Sequence, residues 1–143
     1  MKRIAVITGA SSGMGRRFAE TVDTFGRFDE IWVIARHEAA LEGLRQPIED
    51  GVITISRTGK NGRTKAPEPE SRRDGQVPGQ AEAGAAQQAL AEEPVEVGLL
   101  VNASGFGKFR AVVDTPLEVN LNMVDLNCQA VMALCQLTIP YMP

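Results

Sequence analysis

The octapeptide Thr8-Gly9-Ala10-Ser11-Ser12-Gly13-Met14-Gly15 joins a short apolar run, residues 3–7 (RIAVI), to a segment in which apolar residues recur at helical spacing. A turn in this place lies at the amino end of a helix, where backbone N–H groups have no partner within the helix and the helix dipole is positive. An anion can bind there. We therefore interpret residues 8–15 as a phosphate-binding turn between the first strand and the first helix.

The three glycines of this turn have different expected roles. Gly9 permits a tight turn, Gly13 lets the backbone approach a pyrophosphate without an intervening Cβ, and Gly15 lets the helix pack closely against the strand. The alternative is a flexible Gly/Ser linker, which we disfavour because linkers rarely fall at the first strand–helix junction of an α/β pattern. The residues expected to hold the phosphates are Gly9, Ser11, Ser12, Gly13, Met14 and Gly15.

Strand and helix patterns alternate along the rest of the chain. Buried, β-branched runs that suit strands covered on both faces are followed by segments of helical spacing, which indicates a parallel sheet with right-handed crossovers. The predicted strands are residues 3–7, 30–35, 51–56 and 95–101. Four helices are predicted: one that begins after Gly15, residues 38–46, residues 81–92, and one that begins after Thr115. The predicted fold class is α/β, a Rossmann-type doubly wound parallel sheet of about four strands with flanking helices, in a single domain of residues 1–143.

Residues 57–80 interrupt this alternation. They contain no Leu, Ile, Met or aromatic residue, but six basic residues, three prolines and four glycines. Such a segment buries too little apolar surface to offset the entropy of ordering it, so we predict a disordered loop or an insertion. A disturbed reading frame in the encoding gene would produce the same pattern, and the sequence leaves both explanations open.

The last helix has a clear predicted start. In Thr115-Pro116-Leu117-Glu118, Thr115 is the expected cap, Pro116 the first helical residue, and Glu118 the residue three places after the cap. Apolar residues then cover much of the circumference, so we expect burial in a core or a subunit interface. One predicted stripe is Leu121, Val124, Cys128, Val131 and Cys135, and its neighbour is Leu126, Ala130, Ala133 and Leu137.

Three motifs together resemble one protein family. The spacing of residues 8–15 is similar to the TGxxxGxG motif of short-chain dehydrogenases/reductases, Asn102-Ala103-Ser104-Gly105 resembles that family's NNAG turn with two substitutions, and Asn127 in VDLNCQA stands where the family has its helix Asn. The resemblance implies an oxidoreductase that transfers hydride between a nicotinamide and a carbonyl or alcohol substrate. It implies cofactor binding by Asn102, Ala103 and Gly105, and a catalytic role for Asn127 in holding a proton-relaying water. Alternatively, Asn127 is a polar residue satisfied within a mostly apolar helix.

The residue after the second strand bears on the choice of cofactor. An acidic residue there suits the ribose hydroxyl of NAD, and an Arg suits the 2′-phosphate of NADP. This chain has Arg36, and no carboxylate before Glu38, so we predict NADP(H); a solvated cation is the alternative. His37 is the only histidine, which excludes a multi-histidine metal site. Ser56-Arg57 stands where the family often has an adenine-contacting Asp.

The resemblance also implies residues that this chain does not contain. The family's catalytic Ser and Tyr-x-x-x-Lys follow the helix Asn, whereas this sequence stops at Pro143 and its only tyrosine, Tyr141, has no Lys four residues later. We interpret Tyr141 as an aromatic anchor. The expectation is an incomplete domain that is inactive alone, and the alternative is a non-catalytic dinucleotide-binding or protein-interaction module.

Composition also limits the possible binding partners and cellular location of the protein. A net charge of −3 argues against a nucleic-acid partner, and no apolar run approaches the roughly 20 residues of a membrane span. Cys128 and Cys135 would lie about 10 Å apart along a helix, too far for a disulfide. We expect a cytoplasmic protein with a small-molecule substrate and a homo-oligomeric full-length parent.

Overall fold

The structure is a computed structural model, which describes residues 1–35, Leu41, Leu44, 52–56 and 78–143. The predicted helix of residues 38–46 lies almost entirely outside the described residues, as does the segment 57–77. Four parallel strands form one sheet: β1 (Lys2–Thr8), β2 (Glu30–Ala35), β3 (Val52–Ser56) and β4 (Val95–Val101). The helices are α1 (Gly13–Glu20), α2 (Pro78–Glu92), α3 (Leu117–Val124) and α4 (Ala130–Thr138).

The strand order is β3-β2-β1-β4, so the chain crosses from one edge of the sheet to the other between β3 and β4. Alternate residues of β1 point to opposite faces, and each face has its own core. Ile4 and Val6 pack in a cluster with Leu90 of α2 and Leu134 of α4, and residues of the other face pack with α1. That second cluster contains Ala5, Ile7, Ala19, Val22, Val33, Leu41 and Leu44. The predicted α/β fold with helices on both faces of a parallel sheet is confirmed.

Two predicted helix starts differ from the structure. Helix α2 begins at Pro78 and so includes the last three residues of the predicted loop; proline suits a first helical position because its missing N–H would be unpaired there anyway. The predicted Thr115 cap is wrong. Pro116 is the residue before α3, and the Thr115 hydroxyl instead donates to the Ala111 carbonyl at 3.1 Å, within a 3₁₀ turn of Val112–Asp114.

The long apolar segment after α3 is not one regular helix. A π-helical turn, Asp125–Gln129, separates α3 from α4 and changes which side chains share a face. Leu126, Ala130 and Leu134 are buried, whereas Leu121 and Val124 are 57% and 52% exposed. Of the two predicted stripes, core burial is observed for Leu126 and Ala130 but not for Leu121 and Val124, for which burial in a subunit interface stays a prediction.

Candidate functional site

The turn after β1 is fixed by its backbone. Gly9 has φ of 67°, a left-handed conformation, and its N–H donates to the Ile34 carbonyl at 2.9 Å. A Cβ at Gly9 would lie 2.6 Å from the Ala103 carbonyl oxygen and 2.8 Å from the Ser104 nitrogen. The expected tight turn is present, and it brings the residues after β1 against the residues after β4.

Gly15 is the point where α1 meets β1. It is buried, and a Cβ there would overlap the Gly9 carbonyl oxygen and lie 2.8 Å from the Thr8 carbonyl oxygen. No side chain fits between these backbone segments. The close helix–strand approach expected at Gly15 is therefore observed.

Gly13 differs from the other two glycines because it faces open space. Its φ is 58°, and no atom lies within 4 Å of the position that a Cβ would take. Ser12, in extended conformation before α1, makes no side-chain hydrogen bond to the helix, and the first turn of α1 contains no acidic residue. The amino end of α1 is consequently accessible and uncapped, with Met14 76% exposed beside it. These are the conditions under which backbone N–H groups bind an anion.

Thr8 connects the turn after β1 to the turn after β4. Its side chain is buried, and its hydroxyl oxygen accepts hydrogen bonds from the N–H groups of Ala103 and Ser104, both at 3.1 Å. Both turns are thereby held at the carboxyl edge of the sheet, where ligands of open α/β sheets bind. Thr8 belongs to the TGxxxGxG-like motif, but no sequence pattern indicates that its hydroxyl joins the two turns.

The residues of the NNAG-like turn, 102–105, differ in their exposure and in their contacts. Asn102 is half-buried, and its amide nitrogen lies 3.6 Å from the Cys135 sulfur of α4. Gly105 is exposed, but a Cβ there would lie 2.7 Å from Oδ1 of Asn127. The structure thus brings Gly9, Ala103, Gly105 and Asn127 into one continuous region at the carboxyl edge of β1 and β4.

Asn127 lies within the π-helical turn and holds the loop after β4. Its Oδ1 accepts from the Phe106 N–H at 3.1 Å, and its Nδ2 donates to the Phe106 carbonyl at 2.8 Å. Both ends of the amide are therefore hydrogen-bonded to the backbone of the loop after β4. π-Helical turns are frequent at functional sites.

The structure shows the contacts of three other charged or aromatic residues that the sequence singled out. Arg16 and Arg17 pair with Glu20 at 3.0 and 3.5 Å, so they are engaged along the helix. Arg36 lies outside the described residues. Tyr141 packs against the core cluster that contains Leu134, which agrees with an aromatic anchor. Within the described part of the chain, no group of three or more His, Cys, Asp or Glu residues could hold a metal ion, and no helix is long and apolar enough to cross a membrane.

Lys2, at the opposite edge of the sheet from the turn, has an altered pKa. Side-chain hydrogen bonds from Lys2 to Glu30 and Glu93 raise the pKa of Lys2 above its ordinary value, and Glu30 also accepts from the Trp32 indole at 3.0 Å. Lys2 is the first residue of β1, whereas Thr8 is the last. This cluster therefore links the amino ends of the strands to the end of α2.

No protein-family profile matches the sequence, and no curated protein matches it. Solved structures do match. A short-chain dehydrogenase from Sphingobium yanoikuyae in complex with NADPH is similar with a TM-score of 0.70 and 22% identity, over 98% of this chain and 48% of the other. L-Sorbose reductase from Gluconobacter frateurii, complexed with NADPH and L-sorbose, is similar with a TM-score of 0.69 and 20% identity, over 97% of this chain and 47% of the other. A short-chain dehydrogenase from Streptomyces avermitilis is similar with a TM-score of 0.70 and 25% identity, over 99% of this chain and 44% of the other.

These comparisons establish the fold. The chain spans about half the length of the solved structures that it matches, and over that half it has the fold of short-chain dehydrogenases/reductases. The resemblance inferred from the three motifs is confirmed at this level.

Proposed function

We propose that this chain is the dinucleotide-binding part of an NADP(H)-dependent oxidoreductase of the short-chain dehydrogenase/reductase type. The observation that carries the proposal is the uncapped amino end of α1 at Gly13, framed by the close backbone contacts of Gly9 and Gly15. A pyrophosphate needs this combination of accessible N–H groups and unobstructed approach. Four of the similar solved structures are complexes with NADP or NADPH, which supports the choice of a nicotinamide dinucleotide.

The residues divide into binding and positioning groups. Gly9, Ser11, Ser12, Gly13, Met14 and Gly15 surround the pyrophosphate, Arg36 binds the 2′-phosphate, and Asn102, Ala103 and Gly105 form the turn beside the nicotinamide ribose. When bound, the cofactor supplies or accepts the hydride that reduces a carbonyl or oxidises an alcohol. Asn127 fixes the Phe106 backbone and thereby the wall of the site, in addition to the water-holding role that the family resemblance implies.

The 143 residues contain no Tyr-x-x-x-Lys, the acid–base pair of this family. We propose that the chain alone binds the dinucleotide without turning over substrate, and that the whole protein, acting on a small carbonyl or alcohol, is cytoplasmic. Leu117, Leu121 and Val124 of α3 are more than half exposed, which supports a homo-oligomeric parent, because large apolar side chains grouped on one helix face are usually covered.

Replacement of Gly13 tests the pyrophosphate site directly. We expect Gly13→Ala to weaken NADPH binding by about tenfold, since its Cβ would occupy the open space at the amino end of α1 that the pyrophosphate is proposed to approach. Isothermal titration calorimetry with NADPH measures the change. Gly84→Ala is the matched control, because Gly84 lies in α2, is exposed, and also has no atom within 4 Å of its Cβ position. Equal affinity in the Gly13 variant and the Gly84 variant would contradict the site.

Replacement of Arg36 tests the preference for NADP(H). We expect Arg36→Glu to weaken NADPH binding tenfold or more relative to NADH, because a charge-assisted hydrogen bond contributes about 1.5–3 kcal/mol. The dissociation constants of the two cofactors, measured in parallel, give the ratio. Arg27→Glu makes the same change in net charge at an exposed position and should leave the ratio unchanged. A wild-type chain that binds NADH and NADPH equally would remove the role given to Arg36.

A further inference from the structure

The side chain of Asn102 is directed toward the helix layer. Its amide nitrogen lies 3.6 Å from Cys135 Sγ on α4, a distance at which a thiol sulfur acts as a weak acceptor. Its Oδ1 is buried and has no hydrogen-bond partner in the part of the chain that the structure describes. Within the described part of the chain, the side-chain amide of Asn102 therefore makes one hydrogen bond, to Cys135.

The two residues after Asn102 belong to the frame of the phosphate-binding turn. Ala103 and Ser104 donate their N–H groups to Thr8, and the same stretch of backbone lies against Gly9 at a distance that excludes a Cβ. Asn102 and Ala103 share a peptide bond. A shift of the Asn102 backbone would therefore also move the Ala103 N–H group, which donates to Thr8.

From this arrangement we infer that Asn102 is a positioning residue, not a direct cofactor ligand through its side chain, and that Cys135 holds it in place. The contact anchors the turn after β4 to α4, and the turn in turn supports the backbone around Gly9. The inference deepens the proposed function and rests on it for its effect on dinucleotide binding. Its structural part, the dependence of the Ala103 and Ser104 N–H groups on Cys135, stands independently of any ligand.

Substitutions at Cys135 separate the hydrogen bond from packing. Cys135→Val keeps an apolar side chain of similar size but removes the acceptor, whereas Cys135→Ser keeps an acceptor. Cys128→Val is the matched control, because Cys128 is exposed. Asn102→Ala removes the amide itself and replaces the first variant if Cys135→Val does not fold, which circular dichroism of the full chain would show.

The measurement is amide hydrogen exchange at Ala103 and Ser104, followed by NMR in the full 143-residue chain. We expect Cys135→Val and Asn102→Ala to exchange these two amides about tenfold faster than wild type, since exchange reports local opening. Cys135→Ser and Cys128→Val should stay within about twofold of wild type. NADPH affinity, titrated in the same samples, should fall by about fivefold in the first pair only.

Each outcome decides between the inference and the function on which it rests. Unchanged exchange at Ala103 and Ser104 in Cys135→Val and Asn102→Ala overturns the positioning role, whatever the affinity. Equal acceleration in Cys128→Val also overturns it, because the effect would then be a general loosening of the helix. If exchange accelerates as expected but the wild-type chain binds no dinucleotide, the proposed function fails and the positioning role stands.

Discussion

Gly9→Ala is expected to lower the free energy of unfolding by roughly 4 kcal/mol, the combined effect of forcing a Cβ onto a left-handed backbone and of overpacking. The added Cβ would lie 2.6 Å from the Ala103 carbonyl oxygen, and its near neighbours are backbone atoms that cannot rotate away. Such a loss is a large part of the roughly 5–15 kcal/mol that stabilises an ordinary domain. Urea denaturation monitored by Trp32 fluorescence measures it.

The effect should be specific to the junction between β1 and β4. Gly84→Ala, in a helix with free space around its Cβ position, should be neutral or slightly stabilising, because alanine favours the helix and restricts the unfolded chain. An unfolding curve for Gly9→Ala that overlays the wild-type curve would show that the turns after β1 and β4 are not in close backbone contact. Dinucleotide binding by the folded fraction of Gly9→Ala should be lost with the turn.

The sheet is predictable because its strands are short, mostly apolar runs. The predicted strands 30–35 and 95–101 have the bounds that the structure has, since β-branched and apolar runs that end at polar or glycine residues suit strands covered on both faces. Their parallel arrangement also follows from the alternation with helices. Strand-to-strand register does not, because β1 and β4 shift by one residue between Ile4 and Ala5, a bulge for which Gly98 gives only a weak signal.

The helix that carries Asn127 shows where periodicity is insufficient. The prediction assumes a single period of 3.6 residues, but the π-helical turn at Asp125–Gln129 interrupts it. Leu121 and Val124, which precede the interruption, are therefore exposed, whereas Val131 and Cys135, later in the same predicted stripe, are partly buried. The hydrogen bonds from Asn127 to Phe106 join residues that are 21 apart in sequence, and no local pattern reveals such a contact.

The candidate site is predictable where glycine is required and not where a side chain reaches across the sheet. The spacing of Gly9, Gly13 and Gly15 reflects backbone geometry, which depends on neighbouring residues. Thr8 acts across the sheet edge on residues 95 and 96 positions later, and Asn102 acts on α4. These partners are set by the packing of β4 beside β1, which only the three-dimensional structure supplies.

Thr8→Val is expected to lower the free energy of unfolding by roughly 3 kcal/mol, because it leaves the N–H groups of Ala103 and Ser104 without their acceptor in a part-buried region. Valine has nearly the shape of threonine, so the loss reports the hydroxyl oxygen and not a cavity. Urea denaturation gives the stability, and NADPH titration should show at least a tenfold weaker affinity, since the two turns are no longer held together.

Two variants make the interpretation of this loss unambiguous. Thr8→Ser keeps the hydroxyl oxygen and should retain most of the stability and affinity, because the two N–H groups still have an acceptor. Thr115→Val removes a hydroxyl that donates to the Ala111 carbonyl at an exposed 3₁₀ turn, where water replaces it, and should change neither property. If Thr8→Ser were as damaging as Thr8→Val, the methyl packing of Thr8 and not its hydroxyl would hold the site, and the frame around the pyrophosphate would depend on core packing alone.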